Sequence, residues 1–103
     1  MDNAAVARVL EEVASLLELR GNNPFKIRAY RNAAGTVLDT GERVAALSVG
    51  RLLALPGIGK DLAARIRELA DTGDLAIRRE LVAEFPETLL DLLKLQGLGP
   101  RTV

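Results

Sequence analysis

The sequence predicts an all-α fold, a small helical bundle, and three observations carry that prediction. Alanine and leucine supply 34 of the 103 residues, against three aromatics, a balance that favours helix over strand. Apolar residues recur at helical spacing along most of the chain, between breaks marked by glycine and proline. No stretch alternates apolar and polar residues as a half-buried strand would.

The elements follow in order. Residues 3–20 form an amphipathic helix through Val6, Val9, Leu10, Val13, Leu16 and Leu17, with Asn3 placed to accept the first free backbone donors. Gly21 supplies a left-handed stop. Asn23 caps a second helix with Pro24 in its first turn, running to about Asp39. Its apolar positions are Phe25, Ala29, Tyr30, Ala33, Val37 and Leu38, and Gly41 ends it. Residues 42–47 read as a short helical turn, and Ser48 caps a short helix over 49–55 that stops at Pro56-Gly57-Ile58-Gly59. Helical spacing resumes at Lys60 through Leu62, Ala63, Ile66, Leu69 and Ala70 and ends at Thr72-Gly73. Asp74 caps a helix of about 75–85, Pro86 breaks it, and a leucine-rich helix spans 87–95.

Composition removes several chemistries. The chain has no cysteine and no histidine, so disulfides, thiolate or imidazole metal ligation, and Ser–His–Asp or Cys–His catalysis are excluded within it. No apolar run approaches the roughly 20 residues of a membrane span, and no signal pattern opens the chain; the default compartment is the cytoplasm and no membrane partner is expected. Formal charge is zero, which taken whole argues against a nucleic-acid partner. Its distribution argues otherwise. Residues 1–19 sum to −3, residues 20–67 to +6 and residues 68–103 to −3. The central block is a candidate anion-binding face, and eleven of the fourteen cations are arginine, suited to bidentate phosphate contacts. A plain solvated face is the alternative.

Two segments share one plan, 40 residues apart: Leu52-Leu53-Ala54-Leu55-Pro56-Gly57-Ile58-Gly59-Lys60 and Leu92-Leu93-Lys94-Leu95-Gln96-Gly97-Leu98-Gly99-Pro100. In each, a leucine-rich helix ends, a Gly-apolar-Gly turn follows, and a new helix is ready to start. Glycines permit a tight turn and close approach of a ligand. The helix that follows offers free backbone N–H groups and a positive dipole end, which suit a phosphate. One such turn would pass as an ordinary glycine-capped connection; two with matching flanks resemble the helix-hairpin-helix, a motif that grips DNA backbones without reading sequence.

The segment Asn23-Pro24-Phe25-Lys26-Ile27-Arg28-Ala29-Tyr30-Arg31-Asn32-Ala33-Ala34, then Leu-Pro-Gly-Ile-Gly some 25 residues later, then Thr72-Gly73-Asp74-Leu75, resembles the N-terminal domain of family X DNA polymerases, the domain known from DNA polymerase beta, and the bacterial members in particular. The resemblance implies a helical module that grips gapped or nicked DNA on its 5′-phosphate side during base excision repair, acting as a monomer. By matching positions it places Lys26 and Tyr30 at the 5′-phosphate, with Arg28 and Arg31 nearby. Tyr30 would offer a ring to stack and a hydroxyl to donate; the alternative is a core aromatic with its hydroxyl at the surface. The N–H groups of Gly57, Gly59 and Lys60 would face a phosphate, and Gly97 and Gly99 mark the second hairpin. The resemblance also implies a monovalent cation, Na⁺ or K⁺, held by the backbone carbonyls of Leu53, Leu55 and Ile58, and of Leu93, Leu95 and Leu98 in the second hairpin. A divalent metal is expected only in the nucleotidyltransferase core that such proteins carry beyond this domain.

The chain also departs from the family. The lysine that cleaves a 5′-deoxyribose phosphate through a Schiff base in some members is matched by Arg65, whose guanidinium, with a pKa above about 12, cannot act as that nucleophile. Asp61 stands where a phosphate-binding lysine is found one turn earlier, and would repel phosphate unless paired with Arg65 at i+4. No catalytic residue and no efficient lyase activity is expected, and Arg65 is kept as a DNA-phosphate contact. The expected organisation is a DNA-binding domain over 1–85, with its first hairpin at about 49–72, and a truncated second hairpin over 86–103, as in a piece of a longer protein. A helical protein-interaction module that keeps the hairpins as structural turns is the alternative function.

Overall fold

The computed structural model describes residues 1–21 and 23–84. They form α1 (Asn3–Arg20), α2 (Pro24–Asp39), a 3-10 turn (Val44–Ala46), α3 (Val49–Leu53), α4 (Lys60–Thr72) and α5 (Ala76–Ala83), with no strand among them. The all-α bundle expected from the sequence is the fold observed.

The first two helices pack along their length as an antiparallel hairpin. Small residues line the seam on both sides, Ala7 and Ala14 from α1 and Ala33 and Ala34 from α2, all buried, so the two backbones approach closely. Gly21 takes φ +79° and closes α1 as expected, while the Asn23 side chain accepts from the Phe25 N–H at 2.8 Å to open α2. The α1 cap differs from expectation. Asp2 caps the helix, its carboxylate accepting from the Ala5 N–H at 2.8 Å. Asn3 instead reaches across the bundle: Nδ2 donates to the Thr40 and Glu42 carbonyls at 3.2 and 2.8 Å, and Oδ1 accepts from the Val44 N–H at 2.9 Å. One amide thus satisfies three backbone groups of the loop after α2, a bond set over a sequence separation that periodicity cannot reveal.

The core joins Val6, Leu10, Val13 and Leu17 of α1 to Tyr30 and Val37 of α2, Val44 and Leu47 of the turn, Leu52, Ile58, Leu62, Ile66 and Leu69 around α3 and α4, and Leu75 and Leu81 at α5. Phe25 and Leu38, expected among the apolar positions of α2, are 75% and 60% exposed. At about 100° per residue both fall away from the stripe formed by Tyr30, Ala33, Ala34 and Val37, which leaves them largely uncovered among the described residues.

Ion pairs tie the outer helices down. Arg78 of α5 meets Glu12 of α1 at 3.0 Å, and Arg20 meets Glu84 at 3.2 Å. Arg67 of α4 donates to the Ala45 and Leu47 carbonyls at 2.8 and 3.1 Å, which fixes the turn before α3 against α4. At the start of α5, the Asp74 carboxylate accepts from the Leu75 N–H and from the Arg78 and Arg79 guanidiniums, while Glu68 of α4 accepts from the Ala76 N–H at 2.8 Å. The cap of α5 is therefore shared with the preceding helix.

Candidate functional site

The hairpin between α3 and α4 is built as its residue types require. Ser48 caps α3, its hydroxyl accepting from the Arg51 N–H. The helix ends at Leu53, two residues before its expected end, because Leu55 begins a tight turn: the Ile58 N–H donates to the Leu55 carbonyl at 3.2 Å. Pro56 and Gly57 hold the two central positions, and Gly57 sits at φ +78°, the signature of a type II turn. Ile58 then drops into the core, 5% exposed. Gly59 is the N-cap of α4 and brings no side chain to it. The backbone N–H groups of Gly57, Gly59 and Lys60 therefore have no protein acceptor among the described residues. A helix start with free donors, a positive dipole end and Lys60 beside it is an arrangement that receives an anion.

One residue that holds this turn escaped sequence reasoning. The Thr36 hydroxyl on α2 donates to the Pro56 carbonyl at 2.8 Å, so the hairpin is latched to the α1–α2 pair. Thr36 lies in contact distance of a Cβ built on Gly57, at 3.8 Å. A threonine one place after a helical glycine carries no periodic signal; only the tertiary approach of α2 and the hairpin reveals its role.

The basic residues separate into two groups. Among the described residues, Arg8, Lys26, Arg28, Arg43 and Lys60 form no ion pair, whereas Arg20, Arg31, Arg51, Arg65, Arg67, Arg78 and Arg79 each do. Lys26 and Arg28 are exposed on α2 and Lys60 is exposed at the start of α4, as a phosphate contact needs. Arg31 is engaged with Glu18 at 3.1 Å and Glu11 at 3.7 Å; its position in this structure is that of an α1–α2 crosslink. Arg8 and Arg43 are free cations outside the matched motif, and only the pairing of their neighbours singles them out.

Tyr30 is entirely buried. Its ring is part of the core, as the alternative reading held, and presents no face for stacking; its hydroxyl does not reach the surface, where that reading had placed it. The physical reason is position: Tyr30 lies on the stripe of α2 that also carries Ala33 and Val37. The Tyr30 hydroxyl and the Arg65 Nε are both buried, and neither has a hydrogen-bond partner. The two groups are neighbours across the α2–α4 contact, close enough that each shifts the other's pKa. Burial pushes the Tyr30 pKa above its ordinary value, and Arg65 only partly offsets this. The phenol consequently remains protonated, a donor, through neutral pH. Arg65 loses by burial but gains more from Tyr30, Asp61 and Glu68, and its pKa is raised. Its guanidinium is held by Asp61 at 3.6 Å and Glu68 at 3.5 Å, so the i+4 pairing with Asp61 expected from the sequence is present.

The predicted positions Gly97, Gly99, Leu93, Leu95 and Leu98 lie outside the described residues. Among the described residues no cluster of acidic side chains is placed to hold a metal ion, and no helix is long and apolar enough to cross a membrane.

Residues 1–75, the span from α1 to the end of the hairpin, match the helix-hairpin-helix domain. The chain belongs to the helix-hairpin-helix domain family. It is also 36% identical, over all 103 of its residues, to the DNA polymerase/3′-5′ exonuclease PolX of Bacillus subtilis, of which it covers 18%. The helix-hairpin-helix chain thus spans less than a fifth of that relative's length and corresponds to its N-terminal part. The resemblance to a bacterial family X polymerase, first carried by the Tyr30 segment and the two hairpins, agrees with this similarity.

Proposed function

We propose that this helix-hairpin-helix domain is the non-sequence-specific DNA-binding domain of a family X DNA repair polymerase, and that it grips gapped or nicked DNA at its 5′-phosphate. The observation that carries the reading is the hairpin: Gly57 and Gly59 leave the start of α4 with free N–H donors beside an unpaired Lys60. Lys26 and Arg28 add exposed charge on α2, and similarity to a protein named as a DNA polymerase supports the substrate class. Contacts of this kind neutralise phosphates and orient the duplex without reading bases. Arg65, partly exposed and held by Asp61 and Glu68, is a further cation that a phosphate could claim.

A monovalent cation fits the same hairpin. The Leu53 and Ile58 carbonyls accept no bond among the described residues, and Leu55 gives one lone pair to the Ile58 N–H and keeps the other. These three carbonyls would hold the ion, which would supply positive charge for a DNA phosphate. Catalysis is not part of the proposal for this domain, since Arg65 stands at the position of the Schiff-base lysine; polymerase chemistry would belong to a core beyond it.

The deciding experiment compares binding of the chain to a gapped duplex that carries a 5′-phosphate with binding to the same duplex ending in a 5′-hydroxyl. The phosphorylated gap is expected to bind at least about tenfold more tightly, the scale of one charge-assisted hydrogen bond at about 1.5 kcal/mol. Equal binding would remove the 5′-phosphate assignment, and no binding to either would leave the hairpin as a structural turn.

A further inference from the structure

Asp61 is an unusual residue for an anion-binding helix start. It occupies the first turn of α4, where its carboxylate is favoured by the helix dipole and by the free N–H groups. It also pairs with Arg65 at 3.6 Å, and its side chain is 61% exposed. Glu68, the other carboxylate on Arg65, already has Oε2 committed to the Ala76 N–H at 2.8 Å, so it serves the fold as well as the guanidinium. Asp61 has no other partner among the described residues. Beneath this cluster, the Tyr30 hydroxyl is buried, protonated and unpartnered, and the Arg65 Nε beside it is likewise unsatisfied. Arg65 is thus anchored at its buried Nε end beside Tyr30, while its terminal nitrogens meet Asp61 and Glu68 near the surface.

From these observations we propose that Asp61 acts as a built-in competitor for phosphate: its carboxylate pairs with Arg65 and sets negative charge in the first turn of α4 when DNA is absent, and must give way when a terminal phosphate enters. This inference rests on the 5′-phosphate reading above and assigns its regulation to one residue. The competition has two consequences of opposite sign. The free domain gains stability from the Asp61–Arg65 pair and from the negative charge at the start of α4. The bound domain pays that stabilisation back as weaker affinity, because the incoming phosphate must displace a carboxylate and endure its repulsion. An uncharged amide at position 61 keeps the shape and removes the competitor.

The test is Asp61→Asn, assayed on the gapped duplex with a 5′-phosphate and with a 5′-hydroxyl, beside Asp39→Asn as a control for loss of one negative charge elsewhere. The expected result is a gain of roughly three- to fivefold in affinity for the phosphorylated gap, the scale of a partly exposed ion pair, with little change for the hydroxyl gap. The denaturation midpoint of Asp61→Asn should fall while its affinity rises. In an Arg65→Gln background the gain should shrink to the level of the Asp39→Asn control. Equal gains on both gaps, or a gain that persists without Arg65, would overturn the role of Asp61 while leaving the 5′-phosphate reading intact. A wild-type chain that binds the two gaps equally would instead overturn that reading, and this inference with it.

Discussion

At the residue scale, Tyr30 shows how one position serves two demands. Its ring fills the space between α1, α2 and α4, and its hydroxyl is carried into the core without a partner. A buried hydroxyl that makes no bond costs roughly 1–3 kcal/mol. Tyr30→Phe keeps the ring and removes that cost, so the variant should be as stable as the parent or more stable by about 1 kcal/mol, measured by urea denaturation. Loss of more than that amount would show that the hydroxyl is bonded in solution. The same variant should bind the phosphorylated gap as the parent does, since the sealed hydroxyl cannot reach a phosphate. The tyrosine was legible in the sequence as part of a motif, but its burial was not. An amphipathic pattern says which face of α2 is apolar, and Tyr30 sits on that face; the depth to which α4 covers it depends on a helix 30 residues further along the chain.

At the element scale, the hairpin is a turn held from outside. Its internal chemistry was readable: Pro56 and Gly57 fit the middle of a type II turn, and Ser48 and Gly59 mark the helix starts on either side. Its attachment was not readable, because the bond from Thr36 to the Pro56 carbonyl joins residues 20 apart on different elements. Thr36→Val preserves shape and removes the donor. It should cost about 1 kcal/mol and weaken DNA binding, since the N–H groups of Gly59 and Lys60 depend on the angle at which the turn presents α4. Thr36→Ser, which keeps the hydroxyl, should restore binding. A Thr36→Val chain with parental affinity for DNA would show that the hairpin positions itself. Asn3 follows the same logic at the other end of α2: read as a cap for its own helix, it proved to be the anchor of the following loop.

At the scale of the whole molecule, pairing decides what the charge sum conceals. The chain is neutral overall and carries +6 over residues 20–67. Within that block, however, Arg20, Arg31, Arg51, Arg65 and Arg67 are engaged by carboxylates, which leaves Lys26, Arg28, Arg43 and Lys60 without one. If Lys26, Arg28 and Lys60 each neutralise one phosphate, the logarithm of the binding constant should fall against the logarithm of salt concentration with a slope of about −3. A titration of gapped DNA between low and physiological salt measures it. A slope near zero would mean that phosphate contacts do not drive binding, and a slope near −8 would mean that the paired arginines are released on DNA.

The sequence by itself determined the helices, most of their stops, a tight glycine turn at 56–59 and the family to which the chain belongs. These are local properties: spacing along one helix, a proline, a glycine, a short motif, each set by the conformations open to a few neighbouring residues. Only the tertiary structure decided which cations are free, that Thr36 secures the hairpin and that Tyr30 is sealed in the core. Those outcomes depend on distances between residues far apart in the chain, where burial and pairing change the energy of a charge or a hydroxyl by more than its own chemistry does.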